Sequence, residues 1–329
     1  MPSPSSTKPT SGSASPALDD ERIRGLRAPK PRVDPWKAHG WTVDEERRLS
    51  GVIERALTVF LAGAECPFTC AFCDLWRYTT DVPTPVGALP KQIADTLASM
   101  SGAHVDRVKL YNASNFFDRR AVPNEDLPRI AELCGAFAGV TVESHASTVG
   151  PMTLDFARRL PDGTRLEVAM GLETIHPDAT ARLNKRLDLA RFDNAASFLM
   201  DHDIDLRVFV LLGAPYVPVT ESVDWTVRSV EYAAQRGAAV VSIIPVRGGN
   251  GEMERLGSLG HFTPPSLGQL ESALERCLGV PNTVVTADLW DVEKLPACPE
   301  CSQRRIDRLR RLNVIGCAEP PVVCDRRHD

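Results

Sequence analysis

The sequence predicts an α/β protein built on a parallel sheet, with a C-terminal cysteine-containing extension. Three observations carry this reading. From residue 56 onward, six β-rich runs alternate with amphipathic helical patterns, the signature of repeated βα units. The 329 residues suffice for one α/β domain of the roughly 250 residues such barrels use, with appendages. Three cysteines, Cys66, Cys70 and Cys73, follow directly on the first apolar run, and four more fall after residue 297.

Taken in order, residues 1–35 are rich in Ser, Pro and Thr and hold too little apolar material to offset the entropy of ordering. They are expected to be a disordered leader, with 36–55 leading into the core. Strands are expected at 57–63, 108–114, 140–146, 166–174, 206–213 and 240–246, and helices between them at 89–100, 127–137, 153–160, 192–202 and 221–235. In the last helix Val223, Val227, Val230 and Ala234 form the apolar stripe. The core domain is thus placed at 56–246. A glycine-rich turn at 247–252, a helix near 267–278 and a short strand near 283–289 begin the extension, 247–329, which is expected to close the open side of the sheet.

Composition narrows the function classes. Hydrophobic content of 43% and charged content of 25% are ordinary for a globular protein, and the net charge of −5 gives no general attraction to nucleic acid. The leader lacks the continuous apolar core of a secretory signal, and no run approaches the ~20 apolar residues of a membrane helix. A cytoplasmic protein with no membrane partner is expected. In that compartment nine cysteines speak for metal binding rather than a disulfide framework.

The run Cys66-Pro-Phe-Thr-Cys70-Ala-Phe-Cys73 can fold three thiolates around one small metal centre, with no fourth cysteine nearby. A [4Fe–4S] cube normally takes four, so three leave one iron open to a non-protein ligand. A structural zinc site wants four ligands in paired knuckles. Buried cysteine can also be a plain small hydrophobe. Neither accounts for three cysteines within eight residues at the exit of a strand.

With Phe72 before the last cysteine, this C-x3-C-x2-C motif resembles that of the radical S-adenosylmethionine (radical SAM) enzymes. Lys109-Leu-Tyr-Asn-Ala-Ser-Asn-Phe-Phe-Asp118, Val142-Glu-Ser, Gly171-Leu-Glu173, Leu183-Asn-Lys-Arg186 and Phe262-Thr-Pro-Pro265 are similar to the branch containing archaeosine synthase's radical SAM subunit. More distantly, they are similar to the radical domains of the tRNA methylthiotransferases and of the Elongator catalytic subunit. The similarity covers about 56–278. It implies a partial six-stranded parallel β/α barrel with its chemistry at the carboxyl ends of the strands. It also implies a [4Fe–4S] cluster on Cys66, Cys70 and Cys73, SAM chelating the open iron, and a one-electron donor such as flavodoxin or ferredoxin. In that family SAM is cleaved to a 5′-deoxyadenosyl radical, which abstracts hydrogen from substrate.

Carried over by residue, Ala113-Ser114-Asn115 stands where many members have a Gly-Gly-Glu turn holding the SAM ammonium. This triplet has no acid, although Ser114 and Asn115 can accept hydrogen bonds. Glu173 resembles the strand-end acid facing SAM, and Lys185 or Arg186 is a candidate partner for the methionyl carboxylate, against the competing reading of a solvated helix end. Val210-Leu-Leu-Gly-Ala-Pro215, with Gly213 at its centre, resembles the segment that packs on adenine, with Phe72 on another side.

Candidate catalytic residues are Glu143 and His145, which share one side of their strand, and Arg207, placed to pair with an acid such as Glu167. For any of them a structural ion pair is the competing reading. Cys298-Pro-Glu-Cys301, Cys317 and Cys324 form a candidate second metal site, either zinc or an auxiliary Fe–S cluster, whereas Cys134 and Cys277 lie on apolar helix faces and read as core. Arg304, Arg305, Arg308, Arg310 and Arg311 make the one basic patch, read as a solvated surface with an RNA or phosphate contact as alternative. The expected function is radical SAM chemistry on a small or medium-sized metabolite. The alternatives are tRNA-base modification and a non-catalytic Fe–S or zinc-binding interaction protein.

Overall fold

The computed structural model describes residues 19–100, 102 and 104–324. One eight-stranded sheet organises them, in the order β1 (Gly40–Arg47), β2 (Ile53–Phe60), β3 (Arg107–Tyr111), β4 (Gly139–Ser144), β5 (Arg165–Glu173), β6 (Asp205–Leu212), β7 (Ala238–Pro245) and β8 (Val284–Ala287). β1 runs antiparallel to β2, and every later pair is parallel. The helices are α1 (Asp20–Gly25), α2 (Ala88–Ser99), α3 (Leu127–Cys134), α4 (Pro151–Arg159), α5 (Pro177–Arg182), α6 (Leu189–Asp201), α7 (Ser222–Gln235), α8 (Glu252–Ser258), α9 (Leu267–Cys277) and α10 (Ser302–Ile315).

The two faces of the sheet differ in kind. On one, Val108, Leu110, Val140, Val142, Val168, Met170, Val208 and Val210 are buried against α2, α3, α6, α7 and α9 in the main core, together with Phe116, Phe156 and Phe192. The alternate positions carry Arg107, Lys109, Tyr111, Thr141, Glu143, Glu167, Arg207 and Phe209. These meet across the sheet. Glu46 on β1 accepts from Lys109 on β3 and from Arg207 on β6, the latter at 2.8 Å. In a flat sheet β1 and β6 would stand about 24 Å apart, five spacings of ~4.8 Å. The sheet is therefore curled into a nearly closed barrel with a charged interior.

The C-terminal extension closes the remaining gap. α10 packs against both edge strands, β1 and β8. Asn313 answers both backbone groups of Ala287, accepting from its N–H and donating to its carbonyl at 2.8 Å each, and Arg47 donates to the Ile315 carbonyl at 2.9 Å. Edge groups that would otherwise solicit another strand are thus covered.

All six expected strands are present as β2 to β7, and the expected helices are found within a few residues. β1 was not expected. Its Asp44-Glu45-Glu46-Arg47 run has no local apolar alternation, so nothing in it marks a strand, although it forms a hairpin with β2, from Gly40 opposite Phe60 to Arg47 opposite Ile53. The leader also needs correction: residues 1–18 lie outside the described residues, but 19–35 are ordered. Ile23 of α1 is only 3% exposed, packed with Met253, Leu256 and Phe262 in a second, smaller core. A six-residue helix cannot hold itself in water, so long-range contacts fix it.

Candidate active site

The cysteine loop leaves β2 at the carboxyl end of the barrel and is held from several strand ends at once. Ala64 N–H donates to Thr84 Oγ1 at 2.8 Å. Asn115, after β3, donates through Nδ2 to Cys66 Sγ at 3.4 Å, and Phe68 stacks on His145, after β4, at 4.0 Å between ring centres. Asn184, after α5, donates to the Thr69 carbonyl and hydroxyl at 3.0 and 2.8 Å, and the Ala71 N–H donates to the Leu183 carbonyl at 2.9 Å. Asn250, beyond β7, donates to the carbonyls of Ala71 and Cys73 at 2.8 and 3.2 Å. Three asparagines so clamp one loop.

Burial pushes the thiols of Cys66, Cys70 and Cys73 up, that of Cys73 to about 12, and the positive charge of Lys185 pulls Cys66 and Cys70 part of the way back. Among the described residues, Cys298, Cys301 and Cys324 are the group of ligand atoms gathered within 4.8 Å of one another. Cys66, Cys70 and Cys73 do not form such a group, and a cube, in which each thiolate meets its own iron, does not ask them to.

Beside the loop lies an unusual concentration of unanswered polar atoms. Both amide atoms of Asn112, Ser114 Oγ and Glu143 Oε1 are buried without a hydrogen-bond partner, and Asn112 is wholly buried. Burial pushes the Glu143 carboxyl up to about 7, partly offset by the peptide N–H groups of Ala113, Asn112 and Ser114, which turn toward it. The turn reaches this shape through Ala113 at φ 53°, a left-handed conformation that alanine adopts at a cost. Polar atoms left unpaired in a buried setting cost about 1–3 kcal/mol each unless a ligand answers them. Three thiols and these donors and acceptors fit a cluster with SAM seated on it.

The structure sorts the other expected residues. Asn115 uses Nδ2 on Cys66 and Oδ1 on the His145 N–H (2.7 Å), so it positions the loop. Lys185 donates to Glu173 Oε1, and the pair lies over Gly171 where no β-carbon would fit. Burial pushes Lys185 down, but the Glu173 charge outweighs it and the ammonium is raised overall. Glu173, Asn184 and Arg186 all have left-handed backbone, at φ 68°, 54° and 58°. Arg186 turns away to Asp20 of α1 rather than toward the loop.

Two of the three candidate catalytic residues have structural partners instead. His145 Nδ1 accepts from the Ser147 N–H at 3.1 Å and Nε2 donates to the Lys185 carbonyl at 3.0 Å. Burial, then the Lys185 charge, lowers its pKa to about 4, so it is neutral near pH 7 and both nitrogens are engaged. Arg207 sits deep in the barrel, donating to Glu167 and Glu46 at 2.8 Å each. Glu143 alone keeps a free acceptor oxygen.

Phe72 packs on the second core near Leu211, Ala214 and Val246. Gly213 adopts φ 76°, and Pro265 lies against it so closely that a β-carbon would stand 2.8 Å from the ring. It also lines an outer cleft of about 320 Å³ with Tyr216, His261 and Pro265, which no cysteine lines. The cleft therefore does not mark the chemistry.

Sequence reasoning missed two contributions. One is the N-terminal segment, which straps the cysteine loop: Asp20 accepts from Asn184 (2.9 Å), and Arg27 and Lys30 pair with Glu65 at 2.6 and 2.9 Å. The other is an aromatic wall inside the barrel, where Trp290 meets Phe60 at 5.4 Å and Tyr111 meets Phe209 edge-on at 6.3 Å. Phe60 and Tyr111 are register neighbours, so the two pairs adjoin. The expected basic patch divides: Arg304, Arg310 and Arg311 are exposed, as a solvated surface would have them, while Arg305 and Arg308 are drawn into the extension. Arg305 pairs with Glu271, Arg308 with Glu275 (2.5 Å), Arg310 with Asp307 (2.6 Å) and Arg311 with Glu319 (2.9 Å), while Arg304 donates to the Val323 carbonyl (3.2 Å). Of the four C-terminal cysteines, Cys317 is exposed and stands outside the group formed by the other three.

No family model and no curated protein matches this sequence. Solved structures do. The archaeal Methanocaldococcus infernus Elp3 with an N-terminal deletion is similar at 12% identity, over 68% of this chain and 59% of that one, with a TM-score of 0.50. Methylornithine synthase (PylB) is similar at 16% identity, over 77% of this chain and 67% of that one, with a TM-score of 0.52. Coproporphyrinogen III oxidase (HemN) from Escherichia coli, described as a radical SAM enzyme, is similar at 14% identity over 66% of this chain and 50% of that one, at a TM-score of 0.45 too low to bear on the argument. The chain spans about three fifths of the Elp3 chain and two thirds of the PylB chain. What it shares with those two is the fold.

Proposed function

We propose that this protein is a radical SAM enzyme acting on a small or medium-sized metabolite. The observation that carries the reading is the clamped Cys66, Cys70, Cys73 loop at the carboxyl end of the barrel, set against the unpartnered atoms Glu143 Oε1, Ser114 Oγ and the Asn112 amide. When bound, a [4Fe–4S] cluster with SAM supplies a one-electron cleavage that yields a 5′-deoxyadenosyl radical. Cys66, Cys70 and Cys73 would hold the cluster. Glu143 supplies the acid missing from the Ala113-Ser114-Asn115 turn: its carboxylate stands behind that turn, with Oε1 open to an ammonium donor. Ser114 Oγ offers a second acceptor. Lys185, paired with Glu173 and felt by the thiols of Cys66 and Cys70, would be the cation offered to a methionyl carboxylate.

Substrate would enter the upper barrel along the aromatic wall of Phe60, Tyr111, Phe209 and Trp290, where Phe60, Tyr111 and Phe209 are only partly buried and Trp290 is 54% exposed. The alternative of tRNA-base modification draws on the α10 arginines, of which Arg305 and Arg308 are committed to Glu271 and Glu275, leaving Arg304, Arg310 and Arg311 at the surface. A non-catalytic scaffold would have no use for unpartnered buried acceptors. No helix among the described residues is long and apolar enough to cross a membrane. On this reading the protein works in the reducing cytoplasm with flavodoxin or ferredoxin as electron donor.

The test is anaerobic reconstitution with iron and sulfide, dithionite reduction with SAM, and chromatography for 5′-deoxyadenosine. Product from the wild type and none from the Cys66→Ala, Cys70→Ala, Cys73→Ala variant is expected. Product formed only when tRNA is present would replace the metabolite by the RNA alternative. A loaded cluster that binds no SAM by calorimetry would leave the scaffold.

A further inference from the structure

Beyond the radical chemistry, and resting on no part of it, three cysteines of the C-terminal extension are gathered as metal ligands would be. The Sγ atoms of Cys298, Cys301 and Cys324 all lie within 4.8 Å of one another, and Cys298 and Cys324 are 3.8 Å apart. A disulfide would bring two sulfurs to about 2.05 Å. Zinc, at about 2.3 Å from each thiolate, sets the tetrahedral sulfur-to-sulfur edge at about 3.8 Å. An Fe–S cluster gives its thiolates separate irons or a shared rhomb, with the cysteines spread around it. We propose that Cys298, Cys301 and Cys324 bind a single zinc ion, with a water or other small ligand in the fourth position, and that this ion staples shut the helix that closes the barrel.

The surrounding structure delivers the three thiols together. Cys298 and Cys301 stand at the start of α10, where the N–H groups of Cys301 and Ser302 donate to the Cys298 carbonyl at 3.3 and 3.0 Å, forming the tight knuckle that a C-x2-C pair needs. Gly316 ends α10 in left-handed conformation (φ 68°), and the chain then returns along the helix. Arg308, 2% exposed, donates to the carbonyls of Pro320 (2.9 Å) and Glu319, Arg311 pairs with Glu319, and Arg304 donates to the Val323 carbonyl. These arginines draw Cys324 back to the knuckle. Cys317, at the turn, is exposed and outside the group, so the site differs from the four-cysteine set expected from sequence.

The consequence is structural. α10 covers both edges of the barrel, and a three-thiolate ion joins its first turn to the tail lying along it, so metal binding is coupled to closure.

The experiment uses the full chain carrying Cys66→Ala, Cys70→Ala and Cys73→Ala, so that any retained metal belongs elsewhere and failure of the radical SAM reading leaves the result unaffected. Zinc, iron and sulfide are measured after anaerobic purification, zinc loading and gel filtration. About one zinc per chain is expected, lost at least tenfold on adding Cys298→Ser or Cys324→Ser and retained with Cys317→Ser. Cobalt(II) in place of zinc should show tetrahedral ligand-field bands and thiolate charge transfer, a readout that holds even where a serine variant does not fold. Chelation should raise deuterium uptake across α10 and β8. Iron with sulfide at the site, no bound metal, an octahedral cobalt spectrum, zinc persisting in both serine variants, zinc lost with Cys317→Ser, or a Cys298–Cys324 disulfide in fresh protein would each overturn the proposal.

Discussion

The floor and the mouth of the barrel place carboxylates at equivalent inward-facing strand positions and treat them in opposite ways. At the floor, Glu167 accepts from Arg48, Arg207 and Thr141 at 2.8–2.9 Å, Glu46 is shared by Lys109 and Arg207, and Glu54 holds Arg107. Apart from Arg107 Nη1, no side-chain atom of these groups is left buried without a partner. Burial pushes the Glu46 carboxyl up, but Arg207 and Lys109 outweigh it and hold it at about 2. At the mouth, Glu143 has no cationic partner and rises to about 7, beside other unanswered atoms and strained backbone. Buried charge that is fully paired fixes a structure, and buried polarity left open awaits a ligand.

Breaking each region should have different consequences. The largest effect falls at the mouth: replacing Cys66, Cys70 and Cys73 by alanine should abolish 5′-deoxyadenosine formation while the urea unfolding midpoint of the cluster-free protein stays nearly unchanged. At the floor, Arg207→Met strands Glu167 and Glu46 without their shared cation, and denaturant unfolding should show a loss of about 3–5 kcal/mol. Glu143→Gln should weaken SAM binding to the cluster-loaded protein roughly ten- to hundredfold, the worth of a charge-assisted hydrogen bond at about 1.5–3 kcal/mol, with little change in stability.

The floor also has a pH signature. Because Glu46 and Glu167 have carboxyls held below their ordinary value, their contribution is fully present above about pH 4.5 and is lost as pH falls toward 2. Glu46→Gln should flatten that decline in stability measured against pH. An unchanged slope would show that the floor pairs do not govern acid unfolding. The smallest effect belongs to Ala113→Gly, which relieves the left-handed turn and should stabilise the protein by about 1 kcal/mol in the same unfolding assay.

Much of this contrast was legible in the sequence, for reasons that are local. The strands β2 to β7 showed themselves because their outward valines, leucines and isoleucines repeat at period two between helical stripes, and the cysteine motif because its spacing is short and rare. Residues whose role depends on distant partners were not readable. His145 looked like an acid–base group because nothing local reveals Phe68 above its ring or Lys185 beyond Nε2. β1 and α1 are held in place by contacts 161 and 164 residues away, Glu46 to Arg207 and Asp20 to Asn184. Arg305 and Arg308 read as part of a surface patch because their acceptors, Glu271 and Glu275, lie in α9.

The most direct test of the contrast is calorimetric titration of SAM into three anaerobically reconstituted proteins: wild type, Glu143→Gln and Arg207→Met. The account predicts that the wild type binds, that Glu143→Gln binds at least tenfold more weakly, and that Arg207→Met binds as the wild type does per folded molecule despite its lower stability. Equal affinity in Glu143→Gln and the wild type, or a loss of affinity confined to Arg207→Met, would contradict it.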